Sequence, residues 1–165
     1  MAKLTNFNTA LYIMRLKAGS KYDGLLKIGI SNNIERRAKE IGNVAIEYYG
    51  DYSAPRSIVM ATEMLAQAYA YRKVGRPNNY RQALPVRSGS SEFFNTDNKR
   101  QALGFISAAR TQVNRMLKEY DIKQSVIYII AYVKAIFKEM NKRLPKSFAM
   151  EVTRIKQTLA QETGA

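Results

Sequence analysis

The stretch from residue 10 to residue 42 constrains the fold more than any other. "ALYIMRL" (10–16) has the β-branched and aromatic content of a strand, "KAGSKYDG" (17–24) is a turn rich in Gly, Ser, Lys and Asp, and "LLKIGI" (25–30) is a second apolar run. Two strands joined in this way read as a hairpin. "SNNIERRAKEIG" then places Ser and Asn at an N-cap and Gly42 at a C-cap, which predicts a short helix between them. "NVAIEYYGDY" (43–52) alternates as a third strand. "PRSIVMATEMLAQAYAYRKVG" (55–75) opens with Pro55 at the first helical position and keeps apolar residues at helical spacing as far as Gly75. The order β-β-α-β-α describes an α/β unit of the α+β kind, a small three-stranded antiparallel sheet flanked by helices.

Residues 76–95, "RPNNYRQALPVRSGSSEFFN", read mostly as loop, with two of the four prolines and three arginines. From Asp97 the chain is helical: first "NKRQALGFISAARTQVNRMLKEY", then 123–143, then 146–162 after Pro145 breaks the run. This predicts a domain at 1–96 and a helical, basic C-terminal extension at 97–165. A chain of 165 residues that is 46% hydrophobic is long enough to bury a core. "VIYIIAYVKAIF" (126–137) is too short for a membrane span and is interrupted by Lys134, so it reads as a buried helix. "MAKLTNFNTA" has no continuous apolar run and is not expected to be a signal peptide.

Lysine and arginine number 27 against 13 acidic residues, a formal charge of +14. That excess exceeds what solubility needs and implies a polyanionic partner. It is spread along the chain, +8 in residues 1–100 and +6 in 101–165, so it must sit on folded surface rather than in a basic tail. The absence of Cys and His removes zinc sites, disulfides, thiolate nucleophiles and histidine bases from this chain. Hydrolysis would have to run on Tyr, Lys, Arg and carboxylates, with a hard cation bound through oxygen.

"ALY" at 10–12, "KIG" at 27–29, "SNNIERR" and the later "ATEMLAQAY" together resemble the GIY-YIG nuclease superfamily, in its phage and mobile-element branch with a KIG second triplet. "GSSEFF" at 89–94 is similar to the Gly-x-x-Glu-aromatic-Phe ending of that branch. The resemblance covers residues 10 to about 95. It implies catalytic roles for Tyr12, Lys27, Arg37 and Glu63, with Glu63 as the metal ligand and Mg²⁺ (or Mn²⁺) as the cofactor. Ala10 and Leu11 depart from Gly-Ile, Lys27 replaces the second tyrosine, and Ile41 stands where several relatives carry histidine.

The residues themselves are consistent with phosphodiester cleavage, which needs an activated water, cations on the phosphoryl oxygens and a counter-charge for the leaving oxygen. A tyrosine with a pKa of about 10 is a poor base unless its phenolate is stabilised. A lysine on the neighbouring strand would do that, and Arg37 would grip the phosphate. Each residue also has a plainer reading: Tyr12 as a half-buried strand residue, Lys27 as the solvent face of an edge strand, Arg36 and Arg37 as a solvated helix face, and Glu63 as half of an ion pair. Glu92 reads as mainly structural. Between Met64 and Ser91 there is no acidic residue, while Arg72, Lys73, Arg76, Arg81 and Arg87 alternate with Tyr69, Tyr71 and Tyr80. That pattern reads as a nucleic-acid track. Arg36, Arg110 and Lys118 join the expected DNA-binding set. Arg110, Asn114 and Lys118 form a polar face opposite Phe105, Ile106, Ala109, Val113 and Leu117, fit either for a DNA groove or for a homodimer. Lys138, Lys142, Arg143 and Lys146 form a second basic cluster.

The expected protein is therefore a Mg²⁺-dependent endonuclease acting on double-stranded DNA, a nicking or site-specific enzyme in the cytoplasm of a bacterial or phage-infected cell. The rival is a non-catalytic DNA-binding protein on the same fold. A third reading turns the basic surface toward structured RNA.

Overall fold

A computed structural model describes residues 8–17, 24–77, 84–89 and 92–164. Strand β1 (Asn8–Leu16) runs antiparallel to β2 (Leu26–Ser31), with Tyr12 opposite Gly29 and Met14 opposite Lys27. Helix α1 (Ile34–Ile41) follows the hairpin, and β3 (Val44–Ser53) pairs with the other edge of β1. Helix α2 (Arg56–Lys73) and a two-residue strand β4 (Phe93–Phe94) come next, and β4 extends β2 by setting Phe93 opposite Lys27. The sheet order is β3-β1-β2-β4. The three expected strands are present, and the "FF" of the 89–94 motif supplies a fourth, where sequence pattern gave only loop.

Both faces of β1 are covered, which is why "ALYIM" is apolar without interruption. Leu11 and Ile13 face α2 together with Leu26 and Ile28 of β2. Tyr12, Met14 and Leu16 face the opposite way, into a smaller core with Phe93 and Ile41 of α1. Helix α1 begins as expected: the Asn33 side chain accepts from the Arg36 N–H at 3.1 Å, and the helix stops at Gly42.

Three further helices complete the fold: α3 (Lys99–Glu119), α4 (Ile122–Glu139) and α5 (Lys146–Thr163). The first two are capped by Asn98, which accepts from the Gln101 N–H, and by Asp121, which accepts from the Gln124 N–H. Helix α4 ends before the expected residue 143, because Asn141 turns the backbone to a φ of 58°. All three pack on α2, which is buried continuously from Ser57 to Ala66 and is therefore apolar nearly all round. One core runs from Leu11 and Ile28 through α2 to Ile129, Phe137, Val152 and Leu159. The C-terminal helices thus share their interior with the sheet across residue 96. Among the described residues, no helix is long and apolar enough to cross a membrane.

Pro55 stands at the N-cap of α2 rather than inside its first turn, and a proline side chain cannot cap. The cap comes from the far end of the chain. Glu162 of α5 accepts from the Ser57 N–H at 2.9 Å and from the Ser57 hydroxyl. At the other end Arg76 donates to Ser147 at 3.0 Å, so α5 lies antiparallel along α2 and is fastened at both ends. A carboxylate at a helix N-terminus satisfies an orphan donor and complements the dipole. Replacing Glu162 with Ala should lower unfolding free energy by about 1 kcal/mol, read as a lower urea midpoint at unchanged slope.

Candidate active site

The hairpin and α1 build the first part of the site. Tyr12 on β1 and Lys27 on β2 point to the same face, and the Lys27 ammonium donates to the Tyr12 hydroxyl at 3.0 Å. Gly29 lies directly across from Tyr12, and a Cβ there would overlap the phenol ring. The triplet's glycine is a space requirement imposed by the tyrosine. Lys27 also makes an ion pair with Glu92, which immediately precedes β4. Gly89, with a φ of +74°, brings its backbone so close that a Cβ would stand 2.9 Å from the Lys27 ammonium and 3.3 Å from the Arg37 guanidinium. Arg37 reaches in from α1, donating to the Ser88 hydroxyl at 3.2 Å and lying 3.7 Å from Glu40. Four of the interacting groups therefore come from β1, β2, α1 and the loop before β4.

Tyr12 and Lys27 are both fully buried. Burial opposes the Lys27 charge, but Glu92 and Tyr12 outweigh it and hold the ammonium above the ordinary lysine range. Burial likewise pushes the Tyr12 phenol up, and Lys27 pulls it down, as the strand pairing predicts. Glu92 adds to the rise, and the phenol ends above its ordinary value. Lys27 thus acts on Tyr12 in the expected direction, but desolvation outweighs it, and at neutral pH the tyrosine keeps its proton.

Glu63 sits on the buried length of α2 with only 5% of its surface exposed. It lines a cavity of about 180 Å³ with Gln67, Glu92, Phe148, Glu151 and Arg154 among others. No ion pair engages its carboxyl among the described residues. Its neighbour is another acid, because the carboxyls of Glu63 and Glu151 lie within hydrogen-bond reach. Burial first, then Glu151 and Glu92, push the Glu63 carboxyl well above the usual carboxylate range, against a weaker pull from Lys27. The ion-pair reading of Glu63 does not hold; its side chain opens into the cavity.

The expected DNA-binding residues divide. Arg36, Arg72, Lys73 and Lys118 are exposed, Arg72 lying over the Tyr69 ring at 5.3 Å. Arg76 stacks on Tyr71 and Phe148 besides binding Ser147, which joins α2 to α5. Arg87 donates to the Lys39 carbonyl at the end of α1, where a cation complements the helix dipole. Arg110 lies 4.4 Å over the Tyr52 ring. Arg81 and Tyr80 fall outside the described residues. Lys138, Lys142 and Arg143 are exposed and line a shallow groove with Lys134. Two participants, Gln67 and Glu151, escaped the sequence reading, and nothing local marks either. Glu92, read as mainly structural, is the ion-pair partner of Lys27.

Fold and site together define the class, a phage-associated α+β domain of GIY-YIG-like nuclease fold. The chain belongs to the T5orf172 domain family, whose pattern matches residues 9–118. No curated protein and no solved structure gave a significant match.

Two stability measurements follow from this geometry. Glu92→Ala leaves the Lys27 ammonium buried without its counter-charge and should cost roughly 3–5 kcal/mol in chemical denaturation. Lys27 is held above its ordinary pKa of 10.5, so the lost contribution is complete below that value and the cost stays flat across neutral pH. Glu63 has the opposite sign. Its folded pKa is raised above the ordinary 4.5, so the fold loses stability as pH rises from that point through the folded value. Glu63→Gln should accordingly melt higher than the parent at neutral pH in chelator, with the gain shrinking toward pH 4.5.

Proposed function

We propose that this protein is a metal-dependent endonuclease that hydrolyses DNA phosphodiester bonds, with Tyr12, Lys27, Arg37 and Glu63 as its centre. The observation that carries the reading is Glu63: a carboxyl buried on an apolar helix and open to a cavity that is also lined by Glu92, the ion-pair partner of Lys27. Unpaired buried carboxyls cost stability and are retained where chemistry uses them. The carboxyls of Glu63 and Glu92 at one cavity are oxygen ligands of the kind a hard divalent cation takes. Mg²⁺ or Mn²⁺ would use one or two such carboxylates, with water and phosphate oxygens completing the shell. Such a cation, when bound, neutralises charge on the leaving oxygen and lowers the pKa of a water.

The chain's own residues supply the rest. Arg37, anchored by Ser88, binds the phosphoryl oxygens in a fork. Lys27, locked to Glu92, fixes the Tyr12 hydroxyl, which keeps its proton and orients the attacking water by hydrogen bonding. The exposed cations Arg36, Arg72, Lys73 and Lys118, and the groove of Lys134, Lys138, Lys142 and Arg143, hold the duplex backbone. A single centre hydrolyses one strand per encounter, so a monomer makes nicks, and a double-strand break requires two copies. The phage-associated family supports a setting in a phage or other mobile element.

The complete burial of Tyr12 and Lys27 favours a second reading, in which their network is structural and the domain binds DNA without cutting it. One experiment separates the two. Supercoiled plasmid incubated with Mg²⁺ or Mn²⁺ should become nicked, and chelator should stop the reaction. Glu63→Gln and Arg37→Ala should each slow nicking by about 100-fold or more while Glu63→Gln still shifts DNA in a gel. Salt-sensitive DNA binding with no metal-dependent nicking would establish the second reading instead.

A further inference from the structure

We propose that Glu151, on the last helix, is a second carboxylate ligand of the cation held by Glu63, so that α5 completes the metal site. The inference rests on the metal reading of Glu63 given above and adds a residue outside the family pattern, which ends at residue 118.

Three observations carry it. The carboxyls of Glu63 and Glu151 line one cavity within hydrogen-bond reach of each other, and among the described residues no interior cation pairs with either. Glu63 is 95% buried by the measure of its 5% exposure, so its carboxyl has no bulk water to turn to. Among the described residues the cation paired with Glu151 is Arg154, an exposed side chain 3.6 Å away, one turn along the same helix. Two carboxylates that face one another across a small cavity repel unless a proton or a cation stands between them.

Gln67 adds a third oxygen. It lies one turn after Glu63 on α2, and its amide N–H₂ donates to the Ile28 carbonyl at 2.9 Å. With the nitrogen committed, the amide oxygen is the end left for a ligand at the cavity. Two carboxylates and one carbonyl oxygen match the preference of hard divalent cations.

The position of Glu151 is also fixed rather than incidental. Glu162 holds one end of α5 on the start of α2, Ser147 is held by Arg76 at the other, and Thr158 reaches the Met60 sulfur at 3.6 Å between them. Helix register therefore presents Glu151 to α2 in every folded molecule.

The test is Mn²⁺ binding to the full chain without DNA, followed by isothermal titration calorimetry and by the Mn²⁺-dependent rise in melting temperature. The parent should bind one Mn²⁺ per chain. Glu151→Gln, which keeps the size and the helix, should weaken that binding by about tenfold or more and erase most of the thermal shift, as Glu63→Gln does. Glu151→Asp should recover part of the loss. Mn²⁺ affinity within twofold of the parent in Glu151→Gln, with binding lost in Glu63→Gln, would overturn the role of Glu151 and leave the nuclease reading intact. A parent protein that binds no Mn²⁺ at millimolar concentration would overturn both, and a shared proton would then be what holds the two carboxyls together.

Discussion

The site is organised around a single buried ammonium. Lys27 has no exposed surface, and its charge is tolerable only because Glu92 neutralises it and the Tyr12 hydroxyl accepts from it. That requirement pulls separate parts of the chain together. The loop before β4 must return to β2 to deliver Glu92, and Gly89 must lack a side chain for the backbone to pass Lys27 and Arg37. Phe93 and Phe94 then add the short fourth strand and enter the two cores on opposite faces of the sheet. An isolated charge at that depth would cost several kcal/mol, so the polar triad and the local architecture are mutually dependent.

Helix α2 presents the complementary problem. Its surroundings are apolar on nearly every side, yet Glu63 lies in the middle of that length without an ion pair among the described residues. A glutamine or methionine there would suit the fold better. The retention of an acid at such a place is the pattern expected where function and stability pull in opposite directions. The C-terminal helices sharpen that contrast, because they make α2 an interior helix and keep water from Glu63 except through one cavity.

Much of this was legible in the order of residues. The hairpin, α1 with its Asn33 and Gly42 boundaries, and β3 follow from alternation and capping, which act within a few residues. The meeting of Tyr12, Lys27 and Arg37 was legible only through family resemblance, since no local rule brings three separate elements to one point. What stayed hidden was tertiary. Pro55 looks like a first-turn residue until Glu162 is seen to supply the cap, and Arg87 looks like a free cation until its guanidinium is found on the Lys39 carbonyl near the end of α1. The net direction of the Tyr12 shift needed the depth of burial, which sequence spacing does not report. The strand Phe93–Phe94 is too short to announce itself by periodicity, and its partner Lys27 is the residue least expected in a buried strand.

The antiparallel seating of α5 on α2 has a consequence for the order of events during synthesis. Helix α2 leaves the ribosome well before α5, and a chain grows and folds from its N-terminus. Until the final helix arrives, the first turn of α2 has no cap, and Met60, Met64 and Glu63 lie on an open flank. A nascent chain can assemble the hairpin and its buried ammonium early, but the cavity closes only once α5 has been made.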